Sequence, residues 1–598
     1  MEIKSEGINM GSLAEKLTII FENAFNAAGY DQKYGVVRVS DRPDLCQFQC
    51  NGALSAAKQY QTNPREIAQE VINSLSSSDI FENLSLAGPG FINILLTDAF
   101  IVKHLQGVCD NDRLGCDILS TPSIILIDYG GPNVAKPLHV GHLRAAIIGE
   151  SIARLARFVG NKVIGDVHLG DWGVQMGLNI LAIQERHPEL PYFDPESTGP
   201  FPEDPPVNIS DLEEMYPKAS EREKTDANFA EAARKVTLEL QNGRPGYIAL
   251  WRHIRNVSVA SLRKDYKMLN IHFDLWLGES DTRDRIKNLI KRLKKEGHAQ
   301  KSRGAVVINV GDSNEAESIP PLILEKSDGA VLYGTTDLAT IEQRVEDFQP
   351  NYILYVVDNR QQQHFKQVFK ASYKTGITPN STRLEHNGFG TMNGKDGKPF
   401  KTREGGIMKL KDLIQLVTDH ARERIETIES IRTYEESEKS TIAQIVGIAA
   451  LKYADLMNHR TKDYIFDLDR FSSFEGRTGP YILYAAVRIK SVIRRAQQSG
   501  YLPGKIIAPR SELERNLDLK LAEFPAIINL AFENRSPNHL CEYAFQLASV
   551  YNSFYHAHHI LNEKNVECRA SWLALSEVTL KTLERLLNLL GIEVPKRM

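Results

Sequence analysis

Residues 123–144, SIILIDYGGPNVAKPLHVGHLR, decide the fold. Ser123–Ile127 is a continuous apolar run, which is typical of a strand buried in a parallel sheet. A Gly/Pro/Asn loop spans Gly130–Pro137, and apolar residues at helical spacing then continue to Phe158. A second strand pattern follows at Val163–Val167. Strand, loop, helix and strand within about 45 residues form a βαβ unit, which predicts a doubly wound α/β domain.

The predicted helix of this unit begins with two histidines, His139 and His142. At that spacing both side chains lie on one face of the first turn. Unpaired N–H groups and the dipole favour an anion at a helix N-terminus, so both imidazoles can donate hydrogen bonds to phosphate oxygens. Gly141 lets a bulky ligand approach the backbone, and Lys136 adds a cation. The pattern predicts a nucleotide site; the alternative is a capped helix with two incidental surface histidines.

A second cationic segment lies far along the chain, at Gly394–Gly406. It places four cations and four glycines in thirteen residues. Glycines combined with Lys and Arg suit a loop that closes over a polyphosphate and screens its charge. An exposed cationic turn explains the local composition equally well.

Three motifs resemble those of a known family. Pro132–Arg144 resembles the first signature of class I aminoacyl-tRNA synthetases, in the form found in arginyl-tRNA synthetases, and His168–Gly173 resembles a second segment of that family. Lys398-Pro399-Phe400-Lys401-Thr402 occupies the place of the Lys-Met-Ser-Lys-Ser loop. It departs from that pattern at three of five positions but keeps both lysines. The resemblance extends from about residue 11 to Met598.

The resemblance implies a catalytic site that uses ATP with Mg²⁺ as a substrate complex and no tightly bound cofactor or protein-held metal. The implied catalytic residues are His139, His142, Lys136, Lys398 and Lys401. The implied ATP-binding residues are Gly141, His139, His142, Lys398 and Lys401. Because Lys136 and Lys401 are both present, their division of labour toward pyrophosphate stays open.

A guanidinium substrate requires carboxylates placed for paired hydrogen bonds. Asp128 directly follows the first strand, and Asp337 and Gln361 follow strands predicted at Ala330–Gly334 and Tyr352–Val357. We expect all three at the carboxyl ends of parallel strands, where α/β sheets bind ligands. The resemblance implies that these residues bind arginine together with two more, giving the set Asp128, Asn133, Tyr333, Asp337 and Gln361. Taken singly, each acid has an alternative explanation as a loop carboxylate or a helix cap.

The two ends of the chain are predicted to contact tRNA. Tyr481, Tyr484 and Arg488 lie on one face of a predicted helix, a combination suited to stacking unpaired bases. A core stripe with one solvated arginine is an equal alternative. The resemblance adds further anticodon-loop contacts, Tyr555 and Met598, and two contacts to the D-loop in the N-terminal region, Phe91 and Asn93.

The composition excludes several classes of protein. The 598 residues include 42% hydrophobic ones, and no apolar run approaches the roughly 18 residues of a membrane span. No secretory signal is evident and none of the six cysteines forms a C-x-x-C pair, so we expect a cytoplasmic protein with reduced thiols.

The net charge of −4 conceals an uneven distribution along the chain. Residues 181–230 hold 4 Lys/Arg and 12 Asp/Glu, whereas residues 471–598 hold 16 Lys/Arg and 12 Asp/Glu. The acidic stretch, with Pro200–Pro206 inside it, is interpreted as a surface insertion. The modest positive charge of the C-terminal region predicts salt-sensitive tRNA binding led by shape and stacking.

The predicted architecture has a Rossmann-like class I synthetase catalytic domain between two tRNA-binding domains. A small α+β domain spans residues 1–115 and touches the tRNA D-loop. The catalytic domain spans 120–385, with an insertion at about 181–285. Residues 386–465 carry the signature loop and a region that contacts a tRNA stem, and 466–598 form an all-α anticodon-binding domain. Further predicted elements are helices at Leu13–Ala28 and Pro64–Leu75 and strands at Phe91–Leu96 and Ala305–Val310.

The resulting hypothesis is an arginine–tRNA ligase that takes tRNA(Arg), L-arginine and ATP and acts as a monomer without membrane contact. Three alternatives stay open. Another class I synthetase would share both signatures. A small-molecule nucleotidyltransferase would share the first one but would not explain the helical C-terminal region. A non-catalytic tRNA-binding paralogue would have no need of His139, His142, Lys398 and Lys401.

Overall fold

The computed structural model describes residues 11–42, 44–75, 79–311, 319–327, 329–398, 400 and 408–598. The N-terminal region contains four strands and four helices: α1 Leu13–Ala27, β1 Val37–Val39, β2 Phe48–Cys50, α2 Gly52–Tyr60, α3 Pro64–Ser74, β3 Phe81–Ala87, β4 Phe91–Leu96 and α4 Asp98–Cys109. The strands form one antiparallel sheet in the order β1-β2-β4-β3. The two helices and the strand predicted here are confirmed.

Helix α1 shows why this region folds as its sequence predicts. Ser12 accepts a hydrogen bond from the backbone N–H of Glu15, and the Glu15 carboxylate accepts one from the N–H of Ser12. This reciprocal cap satisfies two N–H groups that otherwise have no partner in the helix. Leu17, Phe21 and Phe25 then form its buried face.

The catalytic region is built on a four-stranded parallel sheet in the order β11-β10-β5-β6. Its elements are β5 Ile124–Tyr129, α5 Val140–Phe158, β6 Lys162–Asp166, α11 Tyr333–Phe348, β10 Tyr352–Val356, α12 Gln362–Lys374 and β11 Arg383–His386. Helix α5 lies close to the sheet because Gly149 leaves space for Tyr129: a Cβ at Gly149 would stand 2.3 Å from that ring. The predicted βαβ unit and α/β class are confirmed.

One strand prediction is wrong and another is confirmed. Ala330–Gly334 is not a strand, because Tyr333 begins α11 and the buried Thr335 hydroxyl donates to the Leu324 carbonyl at 2.7 Å. The short apolar run Ala330–Leu332 resembles a strand, but the helical spacing that follows it determines the structure. Ala305–Val310 does contain a strand, yet that strand belongs to a separate three-stranded antiparallel sheet and not to the parallel one.

The part of the chain between β6 and α11, which contains the predicted insertion, is mainly helical. Its elements are α6 Val174–Arg186, α7 Ile209–Thr225, α8 Ala227–Gln241, α9 Pro245–Met268, α10 Arg283–Lys295, β7 Gln300–Ser302, β8 Ala305–Ile308 and β9 Leu322–Glu325. The acidic stretch therefore includes the whole of α7, which packs against α6 and α8. Asn208 caps α7 by accepting from the N–H groups of Ser210 and Asp211.

The C-terminal region is almost entirely helical, as predicted. Its elements are β12 Met392–Asn393, α13 Leu410–Glu426, α14 Glu436–Leu456, β13 Tyr464–Ile465, α15 Leu468–Phe471, α16 Gly479–Gln498, α17 Glu512–Ala522, α18 Phe524–Glu533, α19 Asn538–Ala557 and α20 Val566–Leu589. The end of α20 docks on the catalytic region, where Arg154 donates to the Asn588 carbonyl at 3.1 Å. Among the described helices, none is both long and apolar enough to cross a membrane.

Candidate active site and tRNA interface

The two histidines of the first signature form a stacked pair at the N-terminus of α5. Their ring centroids are 3.9 Å apart and the rings are inclined by 30°. His139 Nδ1 accepts from the N–H of Gly141 at 3.1 Å, and His142 Nδ1 accepts from the N–H of His139 at 3.2 Å. Because each Nδ1 accepts a backbone hydrogen bond, the neutral rings carry their proton on Nε2. Both Nε2–H groups are therefore the donors of this site.

The electrostatics of the pair keep both rings neutral. Burial, together with the nearby His139 and Lys136, lowers the pKa of His142 to about 3. Burial and Lys136 also lower the pKa of His139. Gly141 has a second structural role, since a Cβ there would stand 2.8 Å from Cε1 of His139. The glycine leaves the space that the imidazole occupies.

Backbone hydrogen bonds bring residues 408–410, which follow the second signature, beside the first signature. The N–H of Val140 donates to the Met408 carbonyl at 3.1 Å, and the N–H of Leu410 donates to the Leu138 carbonyl at 2.8 Å. His139 and Lys409 face each other across this short antiparallel bridge. Two segments about 270 residues apart in sequence thus meet at the N-terminus of α5.

The candidate lysines have different surroundings. Lys136 Nζ lies 4.7 Å from the centroid of the Tyr216 ring, a cation–π contact. Lys398 is exposed in the turn after β12, where its N–H donates to Asp396 Oδ1 at 3.1 Å. Lys401 lies outside the described residues.

The segment His168–Gly173 lies directly against the first signature loop. The N–H of Val134 donates to the Gly170 carbonyl and the N–H of Gly170 to the Pro132 carbonyl, each at 3.0 Å. Asn133, the residue between these two contacts, bridges to Gly170. The side-chain oxygen of Asn133 lies where a Cβ of Gly170 would be, at 2.1 Å, so this glycine is what admits the amide.

Asp128 lies at the carboxyl end of β5, as predicted, but it has an internal partner. Arg344 Nη2 donates to Asp128 Oδ2 at 2.6 Å and to Asp166 Oδ2 at 2.7 Å. The Arg344 side chain is only 1% exposed. Burial opposes its charge, yet the two carboxylates hold the pKa of Arg344 well above its usual value. One oxygen of Asp128 is therefore already bound to a guanidinium of the protein itself.

Tyr333 and Asp337 lie in the first turns of α11, not at the end of a parallel strand. This corrects the predicted placement of Asp337, and the cause is the helix that replaces the predicted strand Ala330–Gly334. Asp337 Oδ2 contacts His364 Nε2 at 2.5 Å. Gln361 follows β10, as predicted. It is the last residue of a short 3₁₀ turn, Asn359–Gln361, that directly precedes α12, and α12 carries His364. Tyr333 is 71% exposed and Gln361 is also exposed.

Glu279 is an acid that sequence reasoning missed. Its N–H donates to the Leu169 carbonyl at 3.0 Å, which places it beside the His168 segment. Burial and the negative charges of Asp171 and Asp337 raise its pKa to about 7, although His168 opposes the shift. No local pattern marks Glu279; only its pairing with a segment over 100 residues earlier brings it here.

Sequence reasoning also missed His364, which lies three residues after Gln361. The hydrogen bond to Asp337 raises its pKa, and burial opposes that shift. The available signal was its spacing of three residues from Gln361, because residues three apart at the start of a helix share one face.

The C-terminal region has an open cavity of about 780 Å³ whose lining includes four of the predicted anticodon contacts, Tyr484, Arg488, Tyr555 and Met598. The Arg488 guanidinium lies 4.8 Å from the Tyr484 ring centroid and 5.9 Å from that of Tyr555. Tyr481 does not line the cavity, but Asn552 links it to Arg488 by hydrogen bonds of 2.9 and 3.0 Å. Four further cations that were not predicted also line it: Arg494, Arg495, Lys596 and Arg597.

The two predicted D-loop contacts lie on β4. Asn93 is buried, and its side-chain oxygen accepts from Gln49 Nε2 at 2.8 Å. The half-buried Phe91 ring folds over Gly88, where a Cβ would stand 3.2 Å from it. Phe91 on β4 and Gln49 on the neighbouring β2 are only partly buried. Both side chains are therefore more accessible to a partner than Asn93.

Comparison with known proteins identifies all three parts of the chain. Three family models match the chain. The model of the class I tRNA synthetase (R) catalytic domain matches residues 105–468, that of the DALR anticodon binding domain matches 482–598, and that of the arginyl-tRNA synthetase N-terminal domain matches 13–96. The arginine–tRNA ligase of Alkaliphilus oremlandii is 51% identical over 590 residues, which cover 98% of this chain and 100% of the relative. That of Maricaulis maris is 46% identical with the same coverage.

Solved structures agree with these matches. Arginyl-tRNA synthetase from Plasmodium falciparum superposes with a TM-score of 0.80 at 26% identity, over 99% of this chain and 100% of that one. The Thermus thermophilus arginyl-tRNA synthetase has the same fold, with a TM-score of 0.78 at 22% identity over 98% of this chain and 100% of that one. The predicted resemblance and fold class are therefore confirmed, and the chain belongs to the arginyl-tRNA synthetases, a family of class I aminoacyl-tRNA synthetases.

Proposed function

We propose that this chain is an arginine–tRNA ligase, which converts ATP, L-arginine and tRNA(Arg) to arginyl-tRNA, AMP and pyrophosphate. The observation that carries the proposal is the backbone pairing of Leu138–Val140 with Met408–Leu410, because it holds the chain that follows the second signature against the first signature at the N-terminus of α5. A nucleotide triphosphate requires donors and cations concentrated at one such point. Full-length relatives named arginine–tRNA ligase support the amino-acid specificity.

In the first step, a carboxylate oxygen of arginine attacks the α-phosphorus of ATP and pyrophosphate departs. The carboxylate is ionised at neutral pH, so no general base is needed and catalysis is positioning plus charge stabilisation. His139 and His142 donate through Nε2–H to the α-phosphate as its charge grows. Lys136, Lys398 and Lys401 stabilise the leaving pyrophosphate, and Mg²⁺ arrives with ATP as part of the substrate. Neutral imidazoles suit this role since they need no change of protonation.

The arginine side chain enters the space between α11 and the His168 segment. Asp337 accepts from the guanidinium through the oxygen that His364 does not bind, and Glu279 adds a second acid. Asp128 contributes only through Oδ1, because Arg344 binds Oδ2. The other proposed arginine contacts are Tyr333 along the side chain and Asn133 and Gln361 at the α-amino and carboxylate ends.

In the second step, the 2′-hydroxyl of the terminal tRNA ribose attacks the carbonyl of arginyl-adenylate and AMP departs. The cavity lined by Tyr484, Arg488, Tyr555 and Met598 stacks and binds bases of the anticodon loop, with Tyr481 behind it. The D-loop contacts proposed are Phe91 and Asn93. The enzyme acts as a cytoplasmic monomer, and its regions are 1–115, 120–385, 386–465 and 466–598.

Pyrophosphate exchange tests the proposal. The full chain is incubated with ATP, Mg²⁺, labelled pyrophosphate and total tRNA, with each of the twenty amino acids in turn. We expect ATP formation with arginine alone, and only when tRNA is present. Exchange with a different amino acid would identify another class I specificity. Absence of exchange with all twenty amino acids would refute the proposed activity and favour the nucleotidyltransferase or the non-catalytic alternative.

A further inference from the structure

One face of helix α7, in the acidic insertion, contacts the first signature loop and the chain that follows the second signature. Glu213 Oε2 accepts from Lys409 Nζ at 2.6 Å and lies 3.4 Å from Lys411 Nζ. One turn further along, the Tyr216 ring lies under Lys136 Nζ. Residues three apart share a helix face, so a single face of α7 binds cations from segments that are remote in sequence.

The Glu213 contact is partly shielded from water. The Glu213 side chain is 14% exposed, compared with 38% for Lys409. Burial opposes the negative charge of Glu213, but the Lys409 hydrogen bond holds its pKa below the ordinary value. Asp265 of α9 also faces this cluster, and its pKa is raised to about 6 by burial and by Glu213, with Lys411 opposing. Above pH 6 two carboxylates and two ammonium groups therefore balance one another here.

The Tyr216 ring that contacts Lys136 is held by packing within the insertion. The ring packs against a small buried cluster made of Leu178, Ala219, Phe229 and Ala233. The backbone before Lys136 is also held, because the N–H of Ala135 donates to Ser258 Oγ of α9 at 2.9 Å. The insertion thus fixes the main chain of the first signature loop through α9 and its cation through α7.

The position of Lys409 explains why its side chain matters for the active site. Lys409 lies between Met408 and Leu410, whose backbone groups pair with Val140 and Leu138, and it faces His139 across that bridge. A side chain held against α7 restrains the short segment that lies against His139. The same helix therefore restrains the segment beside the histidines and the lysine that precedes them.

We propose that Glu213 and Tyr216 are positioning residues of the adenylation site. They act through Lys409 and Lys136 and give the acidic insertion a role in binding the phosphates of ATP. This inference rests on the proposed arginine–tRNA ligase activity. Neither residue is proposed to touch substrate: Tyr216 orients Lys136, and Glu213 restrains the segment that lies against His139.

Steady-state pyrophosphate exchange with the full chain tests the inference through Glu213→Gln, Tyr216→Leu and Tyr216→Phe. We expect Glu213→Gln to raise the KM for ATP about three- to tenfold and Tyr216→Leu about two- to fivefold, with the KM for arginine changed less than about twofold. Tyr216→Phe keeps the aromatic face and should retain the wild-type KM. The matched control is Glu214→Gln, because Glu214 is the neighbouring acid on α7 but pairs with Lys218 and Arg186 on the outer side.

A double variant separates positioning from general damage. If Glu213 acts through Lys409, adding Lys409→Gln to Glu213→Gln should raise the ATP KM no further than either change alone. The inference is overturned if Glu213→Gln leaves the ATP KM at the control value, lowers it, or raises both KM values equally. A wild-type chain without arginine-dependent exchange would instead refute the proposed function itself. Urea unfolding midpoints within the range of Glu214→Gln verify that each variant is folded.

Discussion

The most direct test of the arginine site is the substitution Asp337→Asn. Asp337 lies in the second turn of α11, its side chain is 24% exposed, and its Oδ2 contacts His364 Nε2 at 2.5 Å. Asparagine keeps the shape and can still accept from His364 through its oxygen. The change therefore removes the negative charge and one acceptor while leaving the local packing in place.

The expected magnitude follows from this geometry. His364 occupies one carboxylate oxygen, so Asp337 offers a guanidinium a single charged hydrogen bond rather than a bidentate pair. A hydrogen bond to a charged group contributes about 1.5–3 kcal/mol. Since 1.4 kcal/mol corresponds to a factor of ten, the KM for arginine should rise about 10- to 150-fold. The KM for ATP should change less than about threefold, because the phosphate donors lie on α5 and its preceding loop.

The assay is arginine-dependent pyrophosphate exchange with tRNA present, with arginine and ATP varied separately. Asp347→Asn is the matched control, since Asp347 is an exposed acid of the same helix whose nearest cation, Arg285, is 4.0 Å away. An arginine KM for Asp337→Asn within about threefold of this control, in a variant with a normal urea midpoint, would refute the assignment. Equal increases in both KM values would also refute it, because they indicate a general disturbance of the site.

The remaining predictions concern other parts of the molecule. His142→Ala should lower kcat for pyrophosphate exchange about 10²–10³-fold without a change of pH optimum, because the ring is already neutral above pH 3. The pKa of His364 is raised by Asp337, so the attraction of their ion pair stabilises the fold below about pH 6.5 and is lost as pH rises through the raised value. Deprotonation of His364 also leaves the negative charge of Asp337 available to the guanidinium of arginine. The arginine KM should therefore fall with rising pH, and His364→Gln should weaken that dependence. Glu279, with a pKa of about 7, adds charge over the same range, and Glu279→Gln should remove the remainder. Arg344→Met leaves Asp128 and Asp166 buried without a cation and should lower the free energy of unfolding by about 3–5 kcal/mol in urea titrations. Arg488→Ala should raise the KM for tRNA about tenfold while leaving the exchange rate at saturating tRNA unchanged. An unchanged KM for tRNA would show that Arg488 only packs against the two tyrosines.

Local signals in the sequence were enough for much of the fold. The apolar run at 124–129, the loop after it and the long helix that ends at Phe158 predict the central βαβ unit, and the structure contains it. The C-terminal helices follow from apolar spacing in the same way. The strand predicted at Ala330–Gly334 failed for a physical reason: three apolar residues cannot distinguish a strand from the start of a helix, and the residues that decide come later.

The signature histidines show how far local sequence reaches into the site. Their spacing of three places His139 and His142 on one face, and the structure adds that they stack and that each Nδ1 accepts from the backbone. The sequence alone could not supply the protonation state, because the pKa of His142 depends on burial by distant segments and on the nearby Lys136.

By itself, then, the sequence determined the order of the elements, the first signature and the family. Only the tertiary structure decided which charged groups meet: Arg344 takes an oxygen of Asp128, His364 takes one of Asp337, and Glu213 reaches Lys409 across 196 residues. The reason is physical. Periodicity and turn chemistry act over a few residues, whereas pairing of charges and burial depend on contacts between segments that only the folded chain brings together.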